Sequence, residues 1–242
     1  MSFPSACCNT PPVKAQYTQT GEMGKLGDVA CYYVGDKASK RGIIVNYDIF
    51  GYHPNVIQLC DILAGAGYQV ILPDFLKGDP LTEADLGKAG VFAKFVETRG
   101  SWATNKPTYL AARDHLLSNG ATSISAVGFC WGSKMVISAL AELEGLAGGA
   151  VVHPALLVDE DFDKVKAPLL ALPSKDEPDF TSAFAKTKAK AFGARCQMVR
   201  FDDMHHGFCG ARGDWSVPEQ AKRANEAIQL LIEFVNNVST AA

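Results

Sequence analysis

SISAVGFCWGSKMVISAL, residues 123–140, moves from one structural period to another within a few residues. Ser123 to Phe129 is a short, mostly apolar run suited to a strand buried on both faces. Ser133 to Leu140 has the spacing of a helix with one apolar face. Between them stands Gly128-Phe129-Cys130-Trp131-Gly132, a Gly-x-nucleophile-x-Gly pattern with cysteine at its centre. A strand that turns sharply into a helix at such a pattern presents the central side chain at the end of a sheet. The flanking glycines have a mechanical role, because so tight a turn brings backbones together where a Cβ does not fit.

Outward from this elbow the same alternation repeats. Apolar runs recur at 41–47, 68–73, 149–154, 168–173 and 196–201, and residues 28–34 alternate like a half-buried strand after a Gly-rich stretch suited to a hairpin turn. Between the runs, helical spacing covers 55–67, 84–98, 108–120, 133–145, 178–193 and 218–237. Strands alternating with helices predict an α/β fold of the α/β-hydrolase type, a mainly parallel sheet with helices on both faces. The expected organisation is an N-terminal arm, residues 1–24, followed by a single domain, residues 25–242.

Of the 242 residues, 48% are hydrophobic and 20% charged, with a formal net charge of -3 from interspersed signs. No basic block is available to neutralise a row of phosphates, and no apolar run approaches the roughly 20 residues of a bilayer span. The N-terminus lacks the pattern of a secretory signal, so a cytoplasmic protein is expected, with neither nucleic acid nor membrane as partner. The seven cysteines are read as mostly small buried hydrophobes; the adjacent Cys7 and Cys8 are poorly placed for a mutual disulfide. No phosphate-binding glycine loop, dinucleotide fingerprint or haem pattern implies a cofactor.

Cys130 at the amino end of a helix gains thiolate character from the helix dipole, and the N–H of Trp131 points where an oxyanion develops. In this architecture an acid and then a histidine follow the nucleophile, each on a loop after a later strand. Asp176 follows the run ending at Pro173, and His206 follows the run ending at Phe201. Cys130, Asp176 and His206 are therefore the expected nucleophile, acid and base. Glu177 and Asp179 compete for the acid position, Asp159 and Asp161 less strongly, and His205 competes for the base. His153, Trp102 and Phe50 are candidates to line the pocket.

GFCWG around Cys130, YDIFGYHPN at 47–55, PDF at 73–75, the KD of PSKDEP and HGF at 206–208 together resemble the dienelactone hydrolase family, particularly its fungal members. The resemblance covers roughly residues 25–240. It implies an α/β-hydrolase fold without a large cap and a Cys-Asp-His triad, and it selects His206 over His205. It also implies that Ile49 supplies a second oxyanion N–H beside Trp131. Bacterial members carry a Glu where Asp48 stands, an acid that holds the resting thiol; Asp48 is one methylene shorter, which changes the reach of such a gate. They also hold a substrate carboxylate with two arginines. Arg212 is a counterpart for one, and Lys77 a stand-in for the other.

The function expected is hydrolysis of a small ester or lactone through an acyl-thioenzyme, in a monomer or homodimer without cofactor or metal. One alternative is a biosynthetic enzyme that closes or rearranges lactones by the same acyl chemistry. The other is a non-catalytic binding module, including a metal site built from His205, His206 and Cys209.

Overall fold

In the computed structural model, which describes residues 10–239, the apolar runs become the centre of one eight-stranded sheet. Cys7 and Cys8 lie outside the described residues. The strands are β1 (Glu22–Leu26), β2 (Val29–Val34), β3 (Arg41–Asn46), β4 (Gln69–Pro73), β5 (Ser123–Phe129), β6 (Leu146–Val152), β7 (Leu169–Leu172) and β8 (Gln197–Met198). They lie in the order β1-β2-β4-β3-β5-β6-β7-β8; β1–β2 and β2–β4 are antiparallel, and every later pairing is parallel. The nucleophile's strand, β5, is buried at all its positions, as a strand covered on both faces requires.

Helices α1 (Pro54–Gly65), α2 (Val91–Glu97), α3 (Trp102–Ser118), α4 (Trp131–Glu142), α5 (Asp159–Lys164), α6 (Thr181–Lys188) and α7 (Pro218–Ser239) cover the sheet. Two neighbouring glycines of β6 show that the covering is two-sided. A Cβ on Gly148 would meet Phe234 and Val238 of α7, whereas one on Gly149 would meet Val136 and Leu140 of α4. Successive residues of a strand face opposite sides, so α4 and α7 pack on opposite faces. No large cap interrupts the layers, and among the described residues no helix is long and apolar enough to cross a membrane.

Three elements differ from the expectation. The Gly-rich stretch before residue 28 holds a strand, β1, which begins inside the stretch read as an arm; its residues are exposed at four of five positions, so hydrophobic periodicity gives it no signal. The run at 196–201 supplies only Gln197–Met198, extended by an isolated bridge between Ser174 and Phe201. Helix α3 starts at Trp102, capped by Ser101 accepting from the Thr104 N–H, and Pro107 does not stop it. Pro107 is the sixth residue, past the N–H groups that the first turn leaves without helical partners, so it costs the helix the one bond its own N–H would have made.

The elbow is held by close backbone approach on both sides of Cys130. Cys130 sits at φ 52° and ψ -117° between β5 and α4. A Cβ on Gly128 would lie 2.3 Å from the Gly132 carbonyl oxygen, and one on Gly132 would lie 2.6 Å from the carbonyl oxygens of both Asn46 and Tyr47. The obstacles are backbone atoms, which no rotamer change clears. Gly132→Ala is expected to lower unfolding stability by about 1–3 kcal/mol in a urea titration, through the overpacking it forces. An unchanged midpoint would contradict the close approach.

Candidate active site

Cys130, the candidate nucleophile, is held by the next strand and by the loop that follows it. The Cys130 N–H donates to the Val152 carbonyl at 3.1 Å, and the Ala155 N–H donates to the Cys130 carbonyl at 3.0 Å. The Ser133 hydroxyl closes the turn from inside by donating to the Gly128 carbonyl at 2.9 Å. The Trp131 side chain is fully buried and its indole donates to the Gly100 carbonyl at 2.8 Å, fixing the first turn of α4. The first amides of a helix have no intrahelical acceptor, so the Trp131 N–H is available to a ligand at Cys130. Ile49, also fully buried, lies on the loop after β3, and its carbonyl accepts from the Leu81 N–H at 2.8 Å.

His206 is buried and interacts with Cys130 on one side of its ring and with an acid on the other. Burial draws the imidazole pKa down. The influence of the neighbouring Cys130, and then the hydrogen bond and charge of Glu177, outweigh burial and lift the pKa from 6.5 to about 10. The ring is therefore protonated at neutral pH.

At the acid the structure departs from the expectation. The carboxylate on His206 Nδ1 belongs to Glu177, at 2.7 Å, and not to Asp176. Asp176 Oδ2 instead accepts the backbone N–H of His206 at 2.7 Å. The two neighbours face different ways out of one turn. Asp176 is exposed and Glu177 is 4% exposed, its second oxygen taking the N–H of Ser174. Arg200, which sequence reasoning missed, fixes this turn by donating to the carbonyls of Glu177 at 2.7 Å and Pro178 at 3.1 Å. The other acids are engaged elsewhere: Asp179 caps Thr181, and Asp161 pairs with Lys134 at 2.6 Å.

Asp48 is buried, with Oδ1 accepting from the Phe50 N–H at 2.9 Å and Oδ2 from the Ala211 N–H at 3.0 Å. Its carboxylate thus ties the loop after β3 to the loop after His206. Asn55 does the same from α1, donating to the carbonyls of Gly210 at 2.9 Å and Gly213 at 2.8 Å. Arg212 and Phe50 come together, the guanidinium lying 4.9 Å from the ring centroid. Arg212 Nε donates to the carbonyl of Thr10, and Val13 bonds Ala211 at 2.8 Å and His53 at 2.9 Å. Residues 10–13 therefore run against the loop that carries His206. Lys77 is exposed in the turn after β4 at φ 53°, with no hydrogen bond or ion pair to a site residue among the described residues.

His205 turns away, one ring nitrogen on the His206 carbonyl at 3.0 Å and the other near Gln220 at 3.4 Å, while the Cys209 thiol faces the Ala224 carbonyl. The residues of the conjectured metal site thus take separate partners. Trp102 packs edge-on against Tyr109, with ring centroids 5.6 Å apart. His153 is fully buried with its ring against His206, centroids 5.2 Å apart.

Residues 29–239 match the profile of the dienelactone hydrolase family. Among curated proteins the chain is 32% identical to an uncharacterised AIM2 family protein of Schizosaccharomyces pombe, over 97% of this chain and 99% of that one. It is 27% identical to a carboxymethylenebutenolidase homolog of Mus musculus, over 92% and 93% of the two chains. Among solved structures it superposes on a dienelactone hydrolase-like promiscuous phosphotriesterase from metagenomic libraries with TM-score 0.65 and 18% identity, covering 90% of this chain and 98% of that one. The Pyrococcus furiosus esterase Pf2001 gives TM-score 0.61 at 14% identity, covering 95% and 98%. The last two likenesses concern the fold.

The hydrogen-bond pattern makes the titration of His206 diagnostic. In the wild type its imidazole is expected to keep its proton up to about pH 10. Glu177→Gln removes a charge that raises the pKa and leaves burial, which lowers it, so the transition moves to lower pH. Asp176→Asn, which alters only a partner of the backbone N–H, moves it less. Histidine NMR titration of the three proteins measures this order, and a larger shift in Asp176→Asn would reverse the assignment.

Proposed function

The chain belongs to the dienelactone hydrolase family, and on that premise we propose that it hydrolyses a small carboxylic ester or lactone through a Cys130-Glu177-His206 triad and an acyl-thioenzyme. One observation carries this reading: Cys130 is held on a strained elbow at a helix start, against a buried histidine whose other nitrogen meets a carboxylate at 2.7 Å. A nucleophile, a base and an orienting acid in that relation are the parts of a triad.

In this mechanism the Cys130 thiolate attacks the carbonyl carbon, and the N–H groups of Trp131 and Ile49 receive the oxyanion. His206 gives its proton to the leaving alkoxide as the C–O bond breaks. In a lactone that alcohol remains tethered to the acyl group. Water then attacks the thioester, giving a proton back to His206, and the thiolate leaves. Glu177 holds the imidazole's orientation and stabilises its charged form, while Asp176 fixes the backbone that carries it. Asp48 acts through the loop after β3, whose conformation sets the Ile49 amide. In this reading Asp48 serves that amide, and its two backbone donors replace a hold on the thiol.

Substrate contacts are assigned to side chains on the loops after β3 and after His206. Phe50 and Arg212 form one wall, with a cationic group over an aromatic face; Arg212 is the group to hold a substrate carboxylate if the substrate has one. Lys77 is a weaker candidate, because it stands exposed on its own turn.

Hydrolysis of p-nitrophenyl acetate and of a dienelactone by the wild type, with an acyl adduct on Cys130 in mass spectra, is the expected outcome. Cys130→Ala should lose both turnover and adduct while keeping its thermal melt, and full activity in that variant would refute the assignment. Glu177→Gln should lower kcat/KM by about a thousandfold, as loss of the orienting acid does in triads, and Asp176→Asn by about tenfold. The opposite order would return the acid role to Asp176.

A further inference from the structure

The triad leaves one buried histidine of the site without a task. His153 follows β6 directly and sits at φ 35°, a backbone region that side-chain-bearing residues occupy at a cost in free energy. The segment it belongs to is the clamp on the nucleophile, since Val152 accepts from Cys130 and Ala155 donates to it. Its ring lies among Phe129 and Phe208, each with its centroid 5.8 Å away, and meets His206 at 5.2 Å with the ring planes at 71°.

It is fully buried, and neither ring nitrogen meets a hydrogen-bond partner in another of the described residues; only its own backbone is within reach of the ring. Packing does not explain such an arrangement. A phenylalanine would fill the same aromatic nest without leaving a donor and an acceptor unsatisfied, and an orphaned buried polar group is a cost that folds avoid. Where such groups persist, they serve water or reacting atoms. Burial, and then the neighbouring His206, hold its pKa well below 6.5, so it stays neutral beside the charged ring. A neutral imidazole offers one N–H and one lone pair.

We propose that His153 is a second catalytic histidine, which holds the water that hydrolyses the acyl-enzyme. This rests on the acyl-thioenzyme reading above and assigns the residue to its second half. After the leaving alkoxide has taken the proton of His206, that ring is neutral and accepts one hydrogen from the water. The water oxygen bonds to the acyl carbon, the C–S bond breaks, and Cys130 leaves as thiolate with the free acid. The unprotonated nitrogen of His153 accepts a hydrogen bond from the water's other hydrogen without removing it. Because His153 remains neutral, it adds no repulsion as His206 regains its charge.

This role separates the two half-reactions, which a packing role does not. With p-nitrophenyl acetate, the stopped-flow burst reads acylation, and the decay of acetylated Cys130, followed by mass spectrometry, reads deacylation. His153→Phe is expected to leave the burst rate within about twofold and to slow decay of the acetyl-enzyme about tenfold or more, the scale of a lost positioned reactant. Once decay limits turnover, kcat and KM fall together and kcat/KM holds. His153→Asn, which keeps a donor and an acceptor and tolerates a left-handed backbone, should fall between the two.

Unchanged decay in His153→Phe would overturn the proposal, as would an equal slowing of burst and decay, which would mark a residue that merely positions Cys130 or His206. If the Phe variant does not fold by its thermal melt, His153→Asn decides alone: slower decay with an intact burst supports the role, and unchanged decay removes it. Turnover or a burst that persists in Cys130→Ala would refute the thioenzyme reading itself and this proposal with it.

Discussion

The backbone of residue 130 is held at φ 52° and ψ -117°, and the site depends on what holds it there. A cysteine does not rest in that conformation by preference; the surrounding structure has to impose it. Three constraints do so together. Gly128 and Gly132 let the strand end and helix start approach to within the space of a missing Cβ. β6 takes the N–H of Cys130 through Val152, and Ala155 in the loop after it donates to the Cys130 carbonyl. The Trp131 indole, buried among Tyr47 and Phe95, locks the first helical turn. The same anchoring aims the first amides of the helix and sets the thiol against His206, with His153 packed against the His206 ring.

Around that point the chain gathers charge in a low-dielectric setting and answers it mostly with backbone. Asp48 takes the N–H groups of Phe50 and Ala211, Asp176 that of His206, and Glu177 that of Ser174. For the buried Asp48 and Glu177 a carboxylate without such donors is strongly disfavoured, whereas Asp176 stands exposed. These bonds therefore do two things at once: they stabilise the anions, and they tie the loops after β3, β7 and β8 into one rigid edge. Arg200 adds the complementary case, a cation satisfied largely by the carbonyls of the loop that bears the acid.

How far the sequence discloses this varies with the physics of each part. The elbow is legible because its demand is local: GFCWG between an apolar run and helical spacing specifies a turn that needs two residues without Cβ. The parallel strands are legible because burial on both faces leaves continuous apolar runs. β1 is hidden because an exposed edge strand needs no apolar face, and β8 because only Gln197–Met198 continue the ladder. The acid is hidden for a finer reason. Asp176 and Glu177 are adjacent, and which one faces His206 depends on Arg200 and the Ser174 N–H, distant in sequence or carried by backbone. His153 is legible as a residue near a strand end, but its orphaned nitrogens become visible only in three dimensions.

The short segment from Thr10 to Val13 touches the molecule through the very loop that follows His206, with bonds to Ala211, Arg212 and His53. Ala211 is also the residue whose N–H anchors Asp48. Residues 10–13 are thus stitched into the edge that carries His206 from a distant part of the chain. Loss of residues 10–13 is in effect an alteration of the candidate active site.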